Sequence, residues 1–152
     1  MANLFISVKK SDVYEEVAKT TAYIGAKNKL EDGKSAFDQV FVTDADLAMI
    51  ERFYNESVDA LMNLLKQFVE EITEDNGNIN WRLTLSSRFD VKMEPSIIRS
   101  VSSYLVNSII GKWCEITAPD KVKEYADNAA ALLVDIKDKV FHKTAPSRVK
   151  PQ

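Results

Sequence analysis

The segment from Ile79 to Met93 alternates apolar and polar residues with a period of two. Its odd positions are apolar except at Ser87, and its even positions are polar. This period is typical of a β-strand that has one buried face and one exposed face. Because such a segment would be unusually long for one strand, we expect a break near Ser86 and Ser87.

A strand needs hydrogen-bonding partners for its backbone N–H and C=O groups, so this segment cannot fold alone. Residues 3–8 have the composition of a short strand or extended arm, and residues 40–42 could form another. We expect the partner of segment 79–93 to be residues 4–8 or 40–42 of the same chain, or a strand of a neighbouring chain. The sequence leaves these alternatives open.

Most of the remaining chain has the 3.6-residue periodicity of amphipathic helices. Ser11 can cap a first helix, and Pro95 and Pro119 suit the first turns of two later ones. Apolar residues from Leu47 to Ile72 repeat at helical spacing. The predicted helices after the first cover residues 44–72, 97–116 and 119–141.

These elements predict a mainly α protein with one four-helix bundle-like domain over residues 1–141. A long β-strand or hairpin element, residues 79–93, lies between the second and third helices. Residues 142–152 contain two prolines, three basic residues and no acidic residue, which predicts an extended basic C-terminal tail.

Composition excludes several classes of protein. The net charge of −3 gives no general attraction to nucleic acid. The most apolar segment, residues 97–116, contains charged side chains and is a poor candidate for a membrane span. The N-terminus lacks the pattern of a secretory signal, so we expect a soluble intracellular protein.

Residues with catalytic or metal-binding chemistry are scarce. His142 is the only histidine and Cys114 the only cysteine, which makes a zinc site within one chain implausible. We expect His142 to act as a helix-end cation and Cys114 to be a buried, inert thiol. We therefore expect no enzymatic activity, no cofactor and no metal. An enzyme built on this chain would have to use carboxylates.

The exposed face of the predicted strand carries Arg82 and Arg88, and the tail is also basic. Because aromatic residues are not interleaved with these charges, a charged edge that prevents aggregation is favoured over a nucleic-acid site. Strand and tail together suit contacts with other chains. The candidate partner-binding residues are Trp81, Arg82, Leu83, Leu85, Arg88, Lys143, Arg148, Val149 and Lys150.

The order of the elements resembles the head–tail connector, or adaptor, proteins of tailed bacteriophages. The resemblance runs through SDVYEEVAKTTAYIGAK, DADLAMIERFYNESVDALMNLLKQF, the strand, SIIRSVSSYLVNSIIGKWCEI and KEYADNAAALLVDIKDKVFHKTAPSR. It implies a virion subunit, assembled in the host cytoplasm, that forms a homo-oligomeric ring between portal and tail proteins. DNA would pass through its lumen without sequence-specific binding. By this analogy Lys143, Arg148, Val149 and Lys150 would dock on neighbouring subunits.

A second interpretation is a small protein-binding or regulatory adaptor that acts as a monomer or dimer. In that case Trp81, Leu83 and Leu85 would form a peptide-binding edge.

Overall fold

The computed structural model describes residues 1–27 and 44–146. Within these ranges the chain forms four α-helices and one three-stranded antiparallel sheet, which confirms the mainly helical class. Short 3-10 turns at Asp44–Asp46, Val91–Met93 and Pro119–Lys121 lead into the second, third and fourth helices. In chain order the elements are β1 (Ala2–Val8), α1 (Lys10–Lys27), α2 (Leu47–Leu65), β2 (Val69–Asp75), β3 (Asn78–Leu85), α3 (Glu94–Thr117) and α4 (Val122–Phe141).

The alternating segment pairs within its own chain. β3 is the central strand of the sheet, whose order is β1-β3-β2, and both of its pairings are antiparallel. β1 runs from Ala2 opposite Leu85 to Val8 opposite Ile79, so the expected pairing with residues 4–8 is confirmed. The other suggested partner, residues 40–42, lies outside the described residues.

The prediction that the second helix extends to Ile72 is wrong. α2 ends at Leu65, and the chain then returns as β2 to form a hairpin with β3. The turn is Asn76-Gly77, with φ of 50° and 82°. Two successive positive φ angles match the type I′ turn that an Asn-Gly pair favours between antiparallel strands. The hairpin therefore overrides the helical spacing of apolar residues after Leu65.

β3 ends at Leu85, and the break that we predicted near Ser86 and Ser87 is present. The downstream half of the alternating segment is not a strand. Phe89 makes an isolated antiparallel bridge with Lys143, and Val91–Met93 forms a 3-10 turn that leads into α3.

The start of α1 differs from the prediction. The helix begins at Lys10, so Ser11 is inside its first turn and is not its cap. The side-chain oxygen of Asn78, at the start of β3, accepts a hydrogen bond from the Lys10 backbone N–H at 2.9 Å. An unpaired N–H at the helix start is thus satisfied from the sheet, which ties α1 to the hairpin.

One face of the sheet is buried against the helices. Its buried side chains alternate with exposed ones along β1 and β3, as expected for a half-buried sheet. The helices and this face form one continuous hydrophobic core. α3 contacts α1, α2, α4 and β1, which explains why it is apolar on most sides. The sheet residues in the core are Leu4, Ile6, Val8, Ile79, Trp81, Leu83 and Leu85.

Candidate assembly surfaces

Three of the candidate partner-binding residues are in the core. Trp81, Leu83 and Leu85 are 1%, 0% and 2% exposed. They belong to β3, which has β1 on one side and β2 on the other, so its backbone offers no open edge. A peptide could reach these side chains only if the helices separated from the sheet.

Arg82 lies on the opposite, outer face of β3. Its guanidinium forms ion pairs with Glu70 at 3.6 Å and with Glu71 at 3.4 Å, both on the neighbouring strand β2. These pairs are partly exposed, so each contributes little to stability. These pairs neutralise the charge of Arg82. Because β2 contains four acidic residues and Arg82 supplies one positive charge, the strand remains acidic.

Arg88 holds the start of the C-terminal tail. Its backbone carbonyl accepts a hydrogen bond from the Thr144 N–H at 2.7 Å. Its side-chain Nε and Nη2 both donate to the Thr144 carbonyl, at 3.3 and 3.2 Å. Two residues before Thr144, His142 Nε2 lies 3.7 Å from an Asp90 carboxylate oxygen. Arg88 is thus engaged within the chain and fixes where the tail leaves the body.

Lys143 is exposed and lies in the bridge opposite Phe89. Arg148, Val149 and Lys150 lie outside the described residues. The assignment of these four residues to partner contacts stays a prediction.

The sheet has two open edges that the sequence analysis missed. Within the described residues, β1 and β2 each pair only with β3, so the outer backbone edge of each strand has no partner. Each of these strands also has an exposed apolar side chain, Phe5 at 57% and Ile72 at 44%. Open edges pair readily with strands of other chains.

A signal for these edges was present in the sequence. Asn76-Gly77 between two β-rich segments predicts a hairpin, and residues 4–8 supply one further strand. A sheet of three strands must have two outer edges unless it closes. The exposure of Phe5 depends on which face the helices cover, and that of Ile72 on the position of β2 at the edge of the sheet, so neither could be predicted from the sequence.

A groove with a volume of about 730 Å³ lies between the start of α1 and one side of α3. Its apolar part includes Val13, Ile98 and Val106, and Asp12 and Glu16 contribute acidic groups. Lys9 also lines this groove, so its charged groups are of both signs. Such a mixture of apolar and charged lining is suited to a short amphipathic peptide.

The described part of the chain contains no cluster of three or more His, Cys, Asp or Glu residues arranged to hold a metal ion. Burial raises the pKa of the Cys114 thiol to about 11, and the nearby Asp120 carboxylate adds to this shift. A thiol with this pKa is a poor nucleophile at neutral pH. No helix among residues 1–27 and 44–146 is long and apolar enough to cross a membrane.

Comparison with known proteins gave no match among family models, curated proteins or solved structures.

Proposed function

We propose that this protein is a non-enzymatic structural subunit of a phage virion, a head–tail connector that forms a homo-oligomeric neck ring between portal and tail proteins. DNA passes through the lumen of this ring without sequence-specific recognition. The proposal joins the resemblance of the sequence to connector proteins with the surfaces described above.

The observation that carries the proposal is the open sheet. β1 and β2 present outer backbone edges at opposite sides of one small sheet, and neither has a partner in the described ranges. A subunit with two different open edges can bind one copy at each side. Repetition of that contact gives a ring if the rotation closes, and a filament if it does not.

The anchored tail adds to this support. The contacts between Arg88 and Thr144 hold the described start of the tail at a fixed point on the body. The sequence continues beyond Pro146 with residues 147–152. These residues include Arg148 and Lys150, whose positive charges suit an acidic groove on a neighbouring subunit. The tail is therefore a second contact between copies, independent of the sheet.

Deletion of residues 147–152 tests the assembly role. We expect the deletion to leave helix content and thermal unfolding unchanged, because the Thr144 contacts with Arg88 remain, and to abolish or strongly weaken self-association. Circular dichroism and sedimentation velocity measure the two effects. A matched variant, Arg148→Gln with Lys150→Gln, keeps the length of the tail and isolates the contribution of its charges.

A deletion variant that sediments as the full chain does would contradict the role of the tail. A full chain that is monomeric at every concentration, both alone and in the presence of its portal, would contradict the connector proposal itself.

The groove beside α1 favours a second candidate, a small protein-binding or regulatory adaptor that acts as a monomer or dimer. The complete intramolecular pairing of β3 is consistent with this candidate as well. Sedimentation separates the two functions, because the adaptor predicts a monomer or dimer and the connector predicts a larger closed assembly.

A further inference from the structure

We propose that copies of this chain join by parallel pairing of β1 of one subunit with β2 of the next, with Ser7 opposite Thr73. This inference rests on the proposed self-assembly and specifies the contact that produces it. The sheets of successive subunits then form one continuous β-sheet around the assembly.

The two open edges differ in charge, and this difference selects the pairing. β2 contains four acidic residues, namely Glu70, Glu71, Glu74 and Asp75, whereas β1 contains no charged residue and no proline. Two β2 strands would place like charges opposite each other, which is destabilising. β1 lacks the charged side chains and prolines that commonly block edge strands. β2 is therefore suited to β1 and not to a second β2.

The direction of pairing follows from the sheet. β1 and β2 both run antiparallel to β3, so they run parallel to each other. When one subunit is related to the next by a small rotation, the β1 strand of the next copy also runs parallel to β2. Such a head-to-tail contact can repeat from each subunit to the next, and it forms a ring when the rotation closes. In a two-fold dimer the same strand of both subunits would meet, so the contact would pair β1 with β1 or β2 with β2.

The alternation of side chains sets the register. Ser7 and Thr73 both lie opposite Asn80, on the outer face of the sheet. In a continuous sheet, outer-face residues of one strand must lie beside outer-face residues of the next. The register between β1 and β2 can therefore change only by an even number of residues. With Ser7 opposite Thr73, Lys9 lies beside Asp75, so an exposed cation meets an exposed carboxylate.

The same register accounts for the exposed isoleucine on β2. Ile72 lies opposite Trp81, on the helix-facing side of the sheet, yet it is 44% exposed because β2 is an edge. In the paired sheet Ile72 lies beside Ile6 of the next subunit, which also faces inward. Apolar cross-strand neighbours of this kind stabilise a sheet and remove apolar surface from water.

Cysteine substitution tests both the partner strand and the register. One full-length variant carries Ser7→Cys and another carries Thr73→Cys, and the two are oxidised separately and as an equal mixture. Cys114 does not interfere because it is fully buried. The two substitutions are kept on separate chains, so that every disulfide joins two subunits. Within one chain, positions 7 and 73 are separated by about two strand spacings, roughly 9.5 Å, across β3, which is too far for a disulfide.

We expect disulfide-linked dimers in the mixture and almost none in either variant alone, as measured by non-reducing gel electrophoresis. The matched control replaces Ser7→Cys with Asn3→Cys. In the proposed register Asn3 is displaced by four residues, about 13 Å, from Thr73, which is beyond disulfide reach. We therefore expect at least a tenfold lower yield from that control mixture.

Four results would overturn the inference. Efficient cross-linking of Ser7→Cys alone would indicate that two β1 strands pair with each other. Equal yields from the Asn3→Cys and Ser7→Cys mixtures would indicate random collision. No cross-link in the mixture, with wild-type chains that still sediment as an oligomer, would refute this contact and leave the proposed ring intact. Wild-type chains that stay monomeric at every concentration, both alone and in the presence of the portal, would refute both.

Discussion

The hydroxyl of Tyr54 connects α2 to the β-hairpin, and its removal should weaken the fold by a predictable amount. The Tyr54 side chain is 0% exposed, and its hydroxyl donates a 2.7 Å hydrogen bond to the Gly77 carbonyl. Tyr54→Phe keeps the ring and removes only this bond. Because the Gly77 carbonyl is half-buried and water can partly replace the hydroxyl, we expect a loss of about 1 kcal/mol in the free energy of unfolding.

Tyr14 supplies a matched control. Its ring contacts the Tyr54 ring edge-on, with centroids 5.8 Å apart, but its buried hydroxyl makes no well-aligned hydrogen bond with the described residues. Burial raises the pKa of Tyr14, and the nearby Lys10 ammonium opposes this shift. Tyr14→Phe removes a hydroxyl that has no aligned partner among these residues, so we expect a change of less than about 0.5 kcal/mol in the free energy of unfolding.

Urea unfolding at pH 7 measures both variants, and thermal unfolding gives a second reading. At about 2–4 °C per kcal/mol for a domain of this size, Tyr54→Phe should lower the melting temperature by roughly 3 °C. Equal losses in the two variants, or no loss in Tyr54→Phe, would refute the account of how the hairpin is held on α2.

The pH dependence of this comparison has a definite sign. Burial raises the pKa of Tyr54 to about 12, and the neighbouring Tyr14 and Glu74 add to the shift. A tyrosine whose pKa is raised by folding stabilises the protein fully below its unfolded pKa, near 10, and loses this contribution as the pH rises toward 12. The stability advantage of wild type over Tyr54→Phe should therefore shrink between pH 10 and pH 12.

Two further predictions concern the turn and the contact between α3 and α4. Gly77→Ala should lower the free energy of unfolding by about 1 kcal/mol or more in urea unfolding, because φ is 82° and the added Cβ would overlap the Lys10 side chain. An unchanged stability would contradict the assigned turn. Asp135 accepts hydrogen bonds from Lys139 and from Ser100, and these hold its pKa below its ordinary value. Its contribution is complete above the ordinary pKa, near 3.9, and is lost as the pH falls through the lowered one. Wild type and Asp135→Asn should therefore differ in melting temperature at pH 7, and this difference should shrink as the pH falls below the ordinary pKa. A constant difference over this range would contradict it.

The sequence predicted much of this fold because local patterns and tertiary structure agree over long stretches. Pro95 and Pro119 mark the starts of α3 and of the turn before α4, as proline in a first turn should. The alternation in β3 matches its buried and exposed faces residue by residue. The Ser86-Ser87 break also follows from the limited length of strands.

The errors come from places where two patterns compete. Phe68 and Ile72 continue the helical spacing of α2, but they also fit a strand before Asn76-Gly77, and tertiary pairing with β3 decides between them. Ser11 is a suitable cap, yet Asn78, far away in the sequence, binds the first free N–H of α1. No local pattern contains that contact.

The candidate site was predictable only in part, for the same reason. The sequence distinguishes the polar face of β3, where Arg82 lies, from its apolar face, where Trp81 lies. It does not reveal that, in the part of the chain that the structure describes, β3 is the central strand and β1 and β2 are the outer strands. The strand order depends on β2, whose sequence signal, the Asn76-Gly77 turn, competes with the helical spacing of the preceding apolar residues. The surfaces available to a partner were therefore identified from the structure.

Negative-stain electron microscopy of the purified full-length chain tests the central claim, assembly into a ring, most directly. Grids should be prepared across a range of protein concentrations, both alone and with the portal of the same phage. The account predicts closed rings of uniform diameter with a central channel wide enough to admit a DNA duplex. Monomers or compact two-fold dimers under every condition, with no channel, would contradict it.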